Sequence, residues 1–191
     1  MATFIAYADL VAAPWKNGAG STTEIAVFPA GAGFDDFDWR ISLATIAQSG
    51  PFSVFPGIDR SLSLVAGAGV ALTLDGARRF ALSAANPLIW FPGEAAVFAT
   101  VEAPTTDFNV MTRRSRCRHQ LERIAAPAEL ARRSATTLLF LADGAAVTLR
   151  ASALAFTLKR FDALLLDADD AMHWSVEADA AATVFVADLI T

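Results

Sequence analysis

The stretch Ser61-Leu62-Ser63-Leu64-Val65-Ala66, Gly67-Ala68-Gly69, Val70-Ala71-Leu72-Thr73-Leu74, Asp75-Gly76 is unbroken in the chain and carries the pattern of a β protein. Two short apolar runs are separated by glycines, and the second ends on an Asp-Gly pair. Alternation with period two marks a strand with one buried face, and Asp-Gly after such a run marks a hairpin. The same grammar extends in both directions. Glu24–Phe28, Trp39–Ala47 and Ala96–Val101 read as strands, as do Phe108–Thr112, Thr137–Leu141, Ala155–Leu158, Ala163–Leu166 and Thr183–Leu189. Asp143-Gly144 is a second hairpin signal. Short strands at close spacing indicate a sandwich or barrel. One short helix is expected, Ala128–Arg133, with Pro127 at its start. The fold class is all-β.

A self-match refines this. Sliding the chain by 76 residues (140 − 64 = 76) lays Leu64–Met111 on Phe140–Ala187, with Phe80 on Phe156, Leu82 on Leu158 and Val110 on Val186. In an alanine-rich chain some matching arises by chance. The reading preferred is two related β-barrel halves, residues 1–124 and a smaller 136–191, with 125–135 as a polar linker.

The 191 residues carry 15 Lys and Arg against 20 Asp and Glu, a formal charge of −5. Apolar types make up 54% and charged types 18%, against about 45–50% and about 25% in an average domain, so disorder is excluded. The acidic balance argues against a nucleic-acid binder, which needs a basic stripe. Cys117 is the single cysteine, so no internal disulfide forms and a reducing cytosol is expected. Mean hydropathy is +0.43, yet the longest uncharged stretch, Ile41 to Ile58, is broken by Gly50, Pro51, Pro56 and Gly57. A spanning helix needs about 20 mostly apolar residues. The N-terminus also lacks the charged and apolar regions of a signal peptide. A soluble, cytoplasmic protein is expected.

Familiar chemical motifs are missing. His119 and His173 stand far apart, and no H-x-H, H-E-x-x-H or C-x-x-C spacing occurs, so no metal is expected. There is no G-x-S-x-G. Gly18-Ala19-Gly20-Ser21-Thr22 lacks the lysine of a phosphate loop. What remains is a set of sparingly placed polar residues. Trp15-Lys16-Asn17-Gly18 puts an aromatic ring, one of only two lysines and an amide on one loop; an ordinary turn with a snorkelling lysine is the alternative. In Phe37–Ala44, alternation sends Trp39, Ile41 and Leu43 to one face and Arg40, Ser42 and Ala44 to the other. The second face leaves room for a ligand beside the guanidinium, unless it is simply exposed. Arg60 starts the strand after Pro56-Gly57-Ile58-Asp59, and an arginine fork suits a carboxylate. Asn109 sits amid apolar neighbours and needs partners if buried. Arg113, Arg114, Arg116 and Arg118 read as a solvated edge that discourages strand pairing.

At these residues the sequence resembles the HutD/Ves family. WKNGAGSTTE (Trp15–Glu24), FDWRISLA (Phe37–Ala44), GPFSVFPGIDR (Gly50–Arg60) and DFNVMTRR (Asp107–Arg114) carry the resemblance, in order, over about half the chain. The family typically has three glycines after WKN, and Ala19 replaces the middle one. The resemblance implies an RmlC-like cupin fold built as a double (bicupin) jelly-roll barrel, encoded in many bacteria beside histidine-utilisation enzymes; another branch is named for stress induction. It implies no established reaction. A small-molecule binding or regulatory role is the usual proposal, with urocanate and N-formylglutamate as natural ligands. Laid on metal-cupin spacing, Gly67 as the closing glycine puts Arg60 in the glutamate slot. Shifted by 76, Thr136 takes the second glutamate slot and His173 the second histidine slot. An arginine where relatives hold a cation inverts the charge, so the pocket should attract an anion.

The leading expectation is a metal-free bicupin, without cofactor, that binds a small carboxylate. Arg60 and Arg40 clamp it, Lys16, Asn17 and Asn109 add hydrogen bonds, and Trp15 forms an apolar wall. If Arg60 faces the cavity it needs a counter-ion. Asp59 points to the opposite face, so Glu24 or the ligand itself is expected. An enzyme using Glu24 or Asp59 as base is the alternative, disfavoured because a nearby arginine lowers a carboxylate pKa. A structural module that self-associates, as a homodimer, is a third.

Overall fold

In the computed structural model, which describes all of residues 1–191, the opening stretch folds as read. Ile58–Ala66 and Val70–Leu74 are strands, and Asp75-Gly76 leads into a third, Arg78–Leu82. Asp75 and Gly76 take φ of 52° and 71°, the left-handed region that these two residue types tolerate best.

Nineteen strands follow one another along the chain. They begin with β1 (Thr3–Ile5), β2 (Ala12–Pro14), β3 (Gly20–Phe28), β4 (Trp39–Ile46), β5 (Gly50–Pro51) and β6 (Ile58–Ala66). Next are β7 (Val70–Leu74), β8 (Arg78–Leu82), β9 (Leu88–Pro92), β10 (Val97–Thr100) and β11 (Thr105–Arg113). Then come β12 (Arg118–Ala126), β13 (Ala128–Ala131), β14 (Thr136–Asp143) and β15 (Ala146–Ala151). The last are β16 (Leu154–Lys159), β17 (Ala163–Leu166), β18 (His173–Glu177) and β19 (Ala182–Ile190). A single 3-10 turn, Tyr7–Asp9, is the one helical element, and no helix is long and apolar enough to cross a membrane.

The chain divides into two units: Val11–Cys117, and Met1–Leu10 with Arg118–Thr191. In the first, a six-stranded sheet β2-β3-β4-β11-β6-β9 accompanies a four-stranded sheet β5-β10-β7-β8. Leu62 and Leu64 of the larger sheet pack with Leu72, Leu74, Leu82 and Val97 of the smaller one. In the second unit, a five-stranded sheet β1-β17-β14-β19-β12 accompanies β13-β18-β15-β16, with Leu139, Leu141, Leu149, Leu164, Trp174 and Val184 as core.

The strand orders repeat. The series β9-β6-β11-β4 and β8-β7-β10-β5 in one unit matches β17-β14-β19-β12 and β16-β15-β18-β13 in the other. Ladder register fixes the offset. Leu64 pairs Asp107 beside a bulge, and Leu141 pairs Val184 beside a bulge, so both partners lie 77 residues on (141 − 64 = 77; 184 − 107 = 77). Leu74 pairs Arg78 across one hairpin, whereas Ala151 pairs Leu154 across its counterpart. One loop is a residue shorter, so no gapless slide superposes every strand.

Two expectations need correction. Ala128–Ala131 is strand, not helix: it pairs Val176 through His173 on β18, and a tertiary ladder outweighs local helix preference. Residues 125–135 are no linker between 1–124 and 136–191, since they hold the end of β12 and all of β13. The division falls at Cys117/Arg118, and β1 joins the C-terminal unit by pairing β17. The cause is visible at Arg132, which is buried and donates to the carbonyls of Ala135, Asp167, Asp170 and Ala171. The arginine run is solvated as expected, with Arg114, Arg116 and Arg118 exposed, and most of it is also paired at the surface. Arg113 Nε donates to the Phe37 carbonyl at 2.9 Å, Arg114 bridges Asp59 and Glu94, and Arg116 pairs Asp38 at 2.6 Å. Beside them Cys117 is buried, its thiol donating to the Asp38 carbonyl, and burial pushes its pKa up to about 11.

Candidate functional site

Strand alternation builds one polar wall in the Val11–Cys117 unit. Met111 of β11 lies opposite Arg40 on β4 and opposite Arg60 on β6, so the two arginines stand two strands apart, about 10 Å. Asn109 lies opposite Ser42 and Leu62, and Asp107 opposite Ala44 and Leu64. Glu24 of β3 pairs Ser42 at a bulge. Arg40, Ser42 and Ala44 share a face because their side chains are two residues apart, as do Asp107, Asn109 and Met111. This wall lines a cavity of about 780 Å³, whose remaining lining includes Trp15, Lys16, Asn17, Phe34, Phe52 and Phe55. All seven residues singled out from sequence (Trp15, Lys16, Asn17, Glu24, Arg40, Arg60 and Asn109) line it.

The WKN loop reaches the cavity through its own hydrogen bonds. Trp15 Nε1 donates to Thr22 Oγ1 at 2.8 Å, and Asn17 Oδ1 accepts the Ala19 amide at 3.0 Å. Gly18 has φ of 70°, and a Cβ on Gly20 would lie 2.2 Å from the Thr45 carbonyl oxygen. Ala19, between them, is buried and has no positive φ. Of the three positions after WKN, the middle one is thus where a methyl group fits.

Arg60 is the electrostatic centre. It is 7% exposed, and its guanidinium lies 5.0 to 5.7 Å from the ring centres of Phe91, Phe52 and Phe55. Its Nη2 donates to Asn109 Oδ1 at 2.9 Å, while Nε has no partner. Burial, and secondarily Arg40, lowers its pKa to about 10, against the pull of Asp107. Asn109 Nδ2 in turn donates to Asp107 Oδ1 in a short contact. Asp107 is wholly buried, its Oδ2 has no partner, and burial pushes its pKa up to about 7 although Arg60 and Asn109 oppose this.

The expected ion pairing is therefore revised. Glu24 is not the counter-ion of Arg60: it accepts from Arg40 Nε at 2.7 Å, beneath the Phe34 ring at 4.6 Å from the guanidinium carbon. The group beside Arg60 is Asp107, reached through Asn109. Asp59 does face away, pairing Arg114 at 2.8 Å. Asp107 was not singled out from sequence, though it stands two residues before Asn109 and so on the same face. The aromatic box was equally legible in Phe52 and Phe55 of the Gly50–Arg60 motif. No three His, Cys, Asp or Glu side chains come together as metal ligands would; His173 is exposed on β18.

These features define an all-β protein of cupin-like fold with a cationic cavity in one unit. The cupin barrel domain protein of Leptotrichia buccalis superposes with a TM-score of 0.57 at 11% identity, over 89% of this chain and 88% of that one. The chain belongs to the HutD family, whose model matches residues 7–186. An uncharacterised 21.2 kDa protein from the hutC 3′ region of Pseudomonas putida is 33% identical over 163 residues, 82% of either chain. The family is linked to histidine utilisation by its name and by this neighbour. Protein Ves of Cronobacter sakazakii is 44% identical over 109 residues, 56% of this chain and 58% of its own length. For Ves of Citrobacter koseri the share is 54%, so the chain spans little more than half the length of these curated relatives. Among solved structures, a conserved protein of unknown function from Pseudomonas aeruginosa PAO1 superposes with a TM-score of 0.91 at 32% identity, and HutD from Pseudomonas fluorescens SBW25 with 0.83 at 28%, both over the full length of either chain.

Proposed function

We propose that the chain is a metal-free bicupin that binds a small carboxylate metabolite of histidine breakdown, urocanate or N-formylglutamate, in a regulatory role. The observation that carries this reading is Arg60: a buried cation held by a neutral amide and aromatic rings, with an unpartnered Nε. A buried charge without a full counter-ion is costly, and an anion removes that cost. Arg40 and Lys16 keep the cavity cationic, and Trp15, Phe52 and Phe55 offer apolar surface to the ligand body. Pockets of this composition are the usual form of small-molecule sites. The P. fluorescens HutD structure was obtained in a formate condition, and formate is the simplest carboxylate.

Titration calorimetry with both candidates and a panel of dicarboxylates tests this. Arg60→Ala should weaken binding by about 2–5 kcal/mol, and Arg60→Lys should recover only part, keeping the charge without the fork. Unchanged affinity in Arg60→Ala places the ligand elsewhere.

A second reading, metal-independent catalysis, gains from Asp107. A carboxyl titrating near 7 beside an anion clamp has the pKa a general acid or base needs. Asp107, not Glu24 or Asp59, would then carry the proton. NMR of each bound carboxylate over hours separates the readings, because turnover changes its spectrum and binding alone does not.

A further inference from the structure

Two residues lining this cavity each carry a buried atom with no hydrogen-bond partner: a donor, Arg60 Nε, and an oxygen, Asp107 Oδ2. Asn109 serves neither, since its Oδ1 is taken by Arg60 Nη2 and its Nδ2 donates to Asp107 Oδ1. A carboxylate offers only acceptors. It satisfies Arg60 Nε as it stands, but it satisfies Asp107 Oδ2 only if that oxygen carries a proton. An ionised Asp107, itself fully buried, would set two negative carboxylates side by side. A protonated one would donate a charge-assisted hydrogen bond to the ligand.

We propose that Asp107 makes anion binding proton-linked: a carboxylate that pairs with Arg60 brings one proton onto Asp107, so the cavity takes its ligand as anion plus proton. This rests on the carboxylate-binding reading above. The surroundings of Asp107 support it from each side. Its neighbours on β4 are Ala44 and Ser42, with Arg40 further along, and on β6 they are Leu64 and, further along, Arg60. The other charged groups lining the cavity are Glu24, already paired with Arg40, and Lys16 on the WKN loop. Arg60, with the Asn109 hydrogen bond, is what keeps Asp107 from being fully protonated when the site is empty, and a bound anion offsets the Arg60 charge. With Asp107 at about 7 in the free protein, the carboxyl is protonated in both states below about pH 6, and affinity levels off there. Above 7 the proton must be taken up with the ligand, and Kd should rise by up to about tenfold per pH unit.

The test is calorimetry with N-formylglutamate and with formate, since carboxylates of ordinary pKa stay ionised from about pH 6 to 9. At pH 7.5, heats in phosphate and in Tris, whose ionisation enthalpies differ, give the protons bound. Wild type should take up roughly 0.5–0.8 proton per ligand, and Asp107→Asn none, with a Kd independent of pH. Measurable binding with equal heats in the two buffers overturns the proposal, as does undiminished uptake in Asp107→Asn. The wild-type comparison decides even if the variant does not fold. No heat from either probe overturns the carboxylate reading itself.

Discussion

Replacing Arg60 with methionine should separate stability from binding. Displacement of the Arg60 pKa from 12.5 to about 10 corresponds to about 3 kcal/mol against the charged form. Three rings at 5.0 to 5.7 Å together return part of that, on the order of 1–2 kcal/mol for the one shared cation. Methionine keeps the apolar volume and gains sulfur–ring contacts worth about 0.3–1.5 kcal/mol. It forfeits the bond to Asn109, worth about 1.5–3 kcal/mol for a charged donor. These contributions nearly cancel, so Arg60→Met should change unfolding free energy by less than about 2 kcal/mol. Carboxylate binding should be lost. Urea unfolding followed by fluorescence reports on the right unit, because Trp15, Trp39 and Trp90 lie in Val11–Cys117 and only Trp174 in the other. A loss above about 3 kcal/mol would show that the guanidinium holds the strands together, and the assignment of Arg60 as a strained binding cation would fall.

Asp107 has a folded pKa raised from 3.8 to about 7, so its contribution to stability is full below 3.8 and is lost as pH rises through 7. Asp107→Asn removes that loss, and between pH 5 and 8 denaturant curves should shift by about 2–3 kcal/mol in the variant's favour; parallel pH profiles would contradict this. Gly20→Ala forces a Cβ to 2.2 Å from the Thr45 carbonyl and should destabilise by at least about 2 kcal/mol, whereas Ala19→Gly should lose only about 0.5–1 kcal/mol; similar melting temperatures for the two would refute the account of this loop. Arg132→Ala strands four carbonyls and the Thr137 hydroxyl and should weaken its unit by at least about 3 kcal/mol, read from Trp174 fluorescence, and a loss below about 1 kcal/mol would make it a surface residue in energetic terms.

What the sequence disclosed follows from what period two can and cannot carry. It separates Arg40, Ser42 and Ala44 from Trp39, Ile41 and Leu43 without any partner strand, and the two sets do diverge, the first to the cavity and the second to burial. It does not give register. That Met111 stands opposite both Arg40 and Arg60, and that Glu24 therefore reaches Arg40, depends on ladders formed with residues dozens of positions away. Arg132 was hidden for the same reason. A polar Arg-Arg-Ser segment looks like a linker until the carbonyls of Asp167, Asp170 and Ala171 are brought to it. The repeat was visible because β6 through β11 and β14 through β19 keep nearly equal lengths, and its offset slipped by one because hairpin loops change length freely.

Asp59 and Arg60 are neighbours with opposite duties. On the outer face Asp59 and Glu94 hold Arg114, and Glu94 also accepts the Gly57 amide, which fixes the backbone where β6 begins. On the inner face Phe52, Phe55 and Phe91 box the guanidinium and Asn109 orients it. The rotational freedom of a long side chain, worth about 0.5–1.5 kcal/mol when lost at a binding step, has already been surrendered during folding. A ligand meeting this arginine finds it preorganised, and free and occupied forms of the cavity should differ by little more than side-chain adjustments.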